Sequence, residues 1–74
     1  MLQKLFGLVA WYDDYIIDVH AGHGKYAIVI RDTRKGDKII NDNTYFDTLE
    51  YAVASAYKSF IDYVAEDKGY GVLK

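Results

Sequence analysis

Seventy-four residues, 51% of them hydrophobic and 27% charged, bound one small domain with a thin core and marginal stability. The chain has no cysteine, which excludes disulfides and thiolate zinc sites and suits a reducing, cytoplasmic setting. Net charge is only −2, and no run reaches the roughly 18 apolar residues that a membrane-spanning helix needs.

Residues 2–12 open the chain with Leu2, Leu5, Phe6 and Val9 at helical spacing, while Gly7, Val9, Trp11 and Tyr12 suit a strand. The β-forming residues and the Asp13-Asp14 turn pair favour the strand. The segment has no small-x-small cleavage site, so it reads as part of the fold rather than a leader.

Tyr15–His20 alternates as a strand, with Tyr15, Ile17 and Val19 on one face and Ile16, Asp18 and His20 on the other. Gly22-His23-Gly24 turns the chain into a second strand, Lys25–Arg31, with Tyr26, Ile28 and Ile30 on its apolar face. Thr33-Arg34-Lys35-Gly36-Asp37 makes the next turn. A third strand follows from Lys38 to Ile40 and breaks at Asn41-Asp42-Asn43.

Asp47-Thr48-Leu49-Glu50 reads as a capping box, with Asp47 as N-cap and Phe46 and Tyr51 as a hydrophobic staple. Leu49, Val53, Ala56, Phe60 and Val64 then follow the helical period as one apolar stripe. Gly69 is a natural stop, which leaves 69–74 as a loose tail. The expected class is α+β. A three-stranded antiparallel sheet, with a fourth strand if the N-terminal segment is extended, packs on one C-terminal amphipathic helix.

Little in the chain supports catalysis. Ser55 and Ser59 fall on the wet side of the helix, and the carboxylate pairs Asp13-Asp14 and Glu66-Asp67 are adjacent and solvated. His20, His23 and Asp18 have poor spacing for a metal, and no third histidine completes a set. The expectation is a non-enzyme with no cofactor and no metal.

Two groups of residues could bind a partner. Residues 25–38 carry Lys25, Arg31, Arg34, Lys35 and Lys38 against two aspartates, whereas residues 42–67 carry six acids against Lys58. The basic hairpin could contact phosphates. Eight Tyr, three Phe and one Trp exceed what a thin core needs, so Trp11, Tyr45 and Tyr51 are expected on the surface, where such side chains favour protein interfaces.

Gly24-Lys25-Tyr26-Ala27-Ile28-Val29-Ile30-Arg31-Asp32, a basic-glycine turn, then Tyr45-Phe46-Asp47-Thr48-Leu49-Glu50-Tyr51-Ala52 and Ala56-Tyr57 resemble the Apetala-two/ethylene-response-factor DNA-binding domain over about residues 16–60. Relatives of that domain occur in mobile-element endonucleases and at the N-termini of phage integrases. The resemblance implies three strands on one helix, with the sheet reading double-stranded DNA in the major groove. Lys25 and Arg31 match basic positions of the family. Its first-strand arginines fall at Asp18 and His20, its tryptophan at His23 and a second-strand acid at Val29. A weaker similarity, to the double-stranded-RNA-binding domain, would require a helical N-terminus; Asp47 and Glu50 stand where that family is basic.

The expected function is therefore a small binding module, of the accessory or inhibitor type that phages and mobile elements carry. It docks on a larger protein, such as a nucleic-acid-processing one. The alternative is Apetala-two-like binding of duplex DNA.

Overall fold

Leu2–Trp11 is a helix, α1, and not the strand favoured by its composition. A helix puts Leu5, Val9 and Tyr12 on one stripe, and all three are buried. A strand would have grouped Leu5 with Gly7, Val9 and Trp11, spending one inward position on a glycine. Trp11 instead lies 75% exposed at the end of α1. The computed structural model describes residues 2–41 and 44–68, so the expected tail at 69–74 and its Gly69 stop lie outside the described residues.

After α1 come β1 (Tyr15–Gly22), β2 (Lys25–Asp32), β3 (Lys38–Ile39) and α2 (Leu49–Lys68). The three strands form one antiparallel sheet in the order β1-β2-β3. Helix, three strands, helix is the order that the weaker resemblance required.

The β1–β2 hairpin closes on Gly22 and Lys25, a tighter turn than the three residues first expected. His23 (φ 56°) and Gly24 (φ 74°) are both left-handed, which is the type I′ geometry whose twist matches a two-residue hairpin. Eight consecutive residue pairs follow without a bulge, from Gly22–Lys25 to Tyr15–Asp32.

β3 is short, and a side chain completes its work. The Ile40 N–H donates to the Ile30 carbonyl at 2.9 Å. The Asn41 amide then stands in for a peptide group: its Oδ1 accepts from the Ile30 N–H at 2.9 Å, and its Nδ2 donates to the Ile28 carbonyl at 2.7 Å. Further along, Tyr26 and Phe46 exchange both backbone bonds, at 2.8 and 2.7 Å. The outer edge of β2 thus has partners at Tyr26, at the Ile28 carbonyl, at Ile30 and at Asp32.

That Tyr26–Phe46 bridge also moves the start of α2. It holds Phe46 extended, so the helix begins at Leu49 and the cap is Thr48, not Asp47. Thr48 Oγ1 accepts from the Tyr51 N–H at 3.2 Å. Tyr51 accordingly sits one position too early for a staple with Phe46, and it is 68% exposed.

The core lies between the sheet and both helices. Ile28 and Ile30 meet Leu5 and Val9 of α1 and Val53, Ala56, Phe60 and Val64 of α2. Phe60 is fully buried and stacks edge-on against Tyr12 (5.8 Å) and Tyr15 (5.0 Å). The small Ala52 and Ala56 let α2 approach the sheet closely.

Candidate functional site

The basic hairpin is held by its own molecule's carboxylates. At the turn end of β2, Lys25 Nζ donates to Asp47 Oδ1 at 2.5 Å, which keeps the Asp47 carboxyl below its ordinary range. This explains why Asp47 does not cap α2: its carboxylate faces the hairpin. On the sheet face away from the helices, the Arg31 guanidinium bonds the Asp18 carboxylate on the neighbouring strand.

The densest cluster lies where β2 ends. Asp32 is fully buried and makes four hydrogen bonds. Its oxygens accept from the Arg34 backbone N–H (3.0 Å), Arg34 Nε (3.1 Å), Arg34 Nη2 (3.0 Å) and the Tyr63 hydroxyl (2.9 Å). Arg34 also reaches Asp67 of α2 at 2.8 Å and Asp14 at 3.6 Å. The two nitrogens of Arg34 on the two oxygens of Asp32 form a fork that a lysine could not make. Chiefly because of that fork, the Asp32 carboxyl is pulled down to about 2, against the cost of its burial. The bonds to Asp32, then Asp67, raise the Arg34 pKa further.

Around this centre, Lys35 lies 3.8 Å from Asp67 and 5.4 Å from the Tyr63 ring, and the tyrosine contact raises its pKa. Lys38 lies 5.9 Å from the same ring, on its own short strand. The turn before β3 is shaped for this arrangement, with Gly36 (φ 67°) and Asp37 (φ 62°) both left-handed. Tyr15 packs beneath, 5.8 Å from the Arg34 guanidinium carbon, with its hydroxyl buried and without a hydrogen-bond partner. Burial is the main cause that pushes this phenol up to about 12.

The charge asymmetry of the sequence is therefore complementary across the fold. Of the five expected phosphate-binding cations, Lys25, Arg31, Arg34 and Lys35 are each engaged by a carboxylate, and Lys38 lies over an aromatic ring. The structure places these cations at both ends and on one face of the hairpin, not in one patch. Sequence reasoning missed Asp32 and Tyr63 as the centre of the cluster; the two lie 31 positions apart.

The aromatic candidates stand differently. Trp11 is 75%, Tyr51 68% and Tyr45 50% exposed, and they come from α1, α2 and the chain before α2. Tyr45 borders a shallow groove with Ala21, Gly22, His23 and Lys25 at the hairpin turn. Among the described residues no three His, Asp or Glu side chains group to hold a metal, and no helix is long and apolar enough to cross a membrane. No protein-family model matches the chain, and no curated protein or solved structure matches it either.

Proposed function

We propose that this chain is a non-catalytic binding module that docks on a larger protein through exposed aromatic side chains. The observation that carries this reading is the exposure of Trp11, Tyr45 and Tyr51 in a molecule with so thin a core. Leaving the largest aromatic side chain three-quarters in water forgoes burial that a marginal domain could use. A partner surface recovers it, since Trp and Tyr carry much of the binding energy of protein interfaces.

Duplex DNA is the less favoured partner. Phosphate contacts would compete with ion pairs already made to Asp18, Asp32, Asp47 and Asp67. On the open sheet face Asp18 adds a carboxylate and Val29 is buried, so base edges would meet few free donors.

Affinity capture from a lysate of the source organism tests the proposal. A bound protein retained by wild type and lost when Trp11, Tyr45 and Tyr51 are each replaced by Ala supports it. Equal recovery by all variants contradicts it. In parallel, a labelled duplex should show no saturable binding at low salt. Binding with a log–log salt slope of about −3.6, the signature of four neutralised phosphates, would favour the DNA reading.

A further inference from the structure

The two edges of this sheet are treated in opposite ways. The outer edge of β2 is covered by β3, by the Asn41 amide and by Phe46. Among the described residues the outer edge of β1 has no neighbouring strand. Its bonding groups can be assigned from the hairpin. Gly22–Lys25 closes a two-residue turn and is a hydrogen-bonded pair, so bonding toward β2 alternates from there. Tyr26 and Ile30 of β2 bond away from β1, as the alternation requires. Ile17, Val19 and Ala21 therefore aim their N–H and C=O groups outward.

Exposed edges usually carry a bulge, a proline or a lysine that discourages pairing. β1 has none: its register is unbroken, its sequence is Tyr-Ile-Ile-Asp-Val-His-Ala-Gly, and its one charge is held by Arg31. Ile16 (49%) and Val19 (40%) lie exposed along it.

We infer that β1 pairs with β1 of a second copy of this chain, antiparallel, about a two-fold axis at Val19. Symmetry and charge select this register. Outward-facing groups sit on odd-numbered residues, so the axis must pass through a residue that pairs with itself. An axis at Asp18 or at Val19 gives the longest overlaps. The first sets Asp18 directly against the second copy's Asp18, and like charges so placed are destabilising. The second sets Asp18 opposite the second copy's His20 on both sides of a central Val19–Val19 pair. It also sets Ile17 opposite Ala21 and Ile16 opposite Gly22. The sheet then runs continuously through both copies. This interface is made by the β1 backbone and not by Trp11, Tyr45 or Tyr51, of which Tyr45 borders it at Ala21 and Gly22, and its failure leaves the docking proposal standing.

Sedimentation velocity from micromolar to millimolar protein tests it. A dimer that forms with concentration is expected for wild type. Val19→Pro removes an outward N–H that β2 does not use, so the variant should fold, with unchanged circular dichroism, and stay monomeric. His20→Asp puts a carboxylate opposite Asp18 twice per dimer and should weaken association roughly tenfold, while His20→Lys should not. In this cysteine-free chain, Val19→Cys should cross-link across the axis, where hydrogen-bonded pairs lie about 5.5 Å apart. A wild type that remains monomeric throughout overturns the inference, as does a dimer indifferent to both Val19→Pro and His20→Asp.

Discussion

Asp32 is the only fully buried charged side chain among the described residues, and the fold satisfies it with four hydrogen bonds. Such a carboxylate ties stability to pH. Its folded pKa, about 2, lies below the ordinary value of 3.8. The stabilisation is therefore complete above the ordinary value and is lost as pH falls through about 2. That difference corresponds to ~2–3 kcal/mol. Urea midpoints measured from neutral pH down to pH 2 should fall steeply in the acid range for wild type. They should fall less for Asp32→Asn, which at neutral pH is already less stable by about 3 kcal/mol. Tyr15 presents the reverse case. Its buried hydroxyl lacks a partner, so Tyr15→Phe should raise stability by up to about 1 kcal/mol, read as a higher thermal midpoint. A fall would mean that the hydroxyl makes a bond of its own.

At the scale of the element, the ends of strands and helices are set by contacts distant in sequence. The stripe Leu49, Val53, Ala56, Phe60 and Val64 is visible in the sequence because its partner is any apolar surface, and all but Leu49 are buried. The strands of the hairpin are visible for the same reason. Asp47 is the better cap in isolation, and only its pair with Lys25 and the Phe46 bridge shift the helix start to Thr48. Thr48→Ala should accordingly cost about 1 kcal/mol in chemical unfolding. Asn41 was invisible as a structural residue, since nothing local marks an asparagine that will replace a strand's backbone. Asn41→Ala leaves Ile28 C=O and Ile30 N–H without partners and should cost about 1–3 kcal/mol, with faster amide exchange at Ile30. The α1 segment reads as a strand because it is rich in β-formers and ends in the Asp13-Asp14 turn pair, whereas burial of Leu5, Val9 and Tyr12 on a helical stripe decides the outcome.

Over the whole molecule, one guanidinium draws together the start of β1, the end of β2 and the end of α2, through Asp14, Asp32 and Asp67. The five cations and three aromatic residues were legible in the sequence as candidates. Their division of labour was not, because apart from the local Arg34–Asp32 fork the pairing joins residues 13 to 33 positions apart. Four of the five cations pair with the chain's own acids, Lys38 lies over the Tyr63 ring, and the three aromatic side chains stay exposed. A double-mutant cycle on Arg34→Met and Asp32→Asn, followed by urea unfolding, measures this most directly. If Arg34 serves the fold, the two changes are strongly coupled, by at least about 1.5 kcal/mol, and each alone destabilises. Additive effects, or an Arg34→Met variant as stable as wild type, would contradict the account and return Arg34 to the residues free to meet a phosphate.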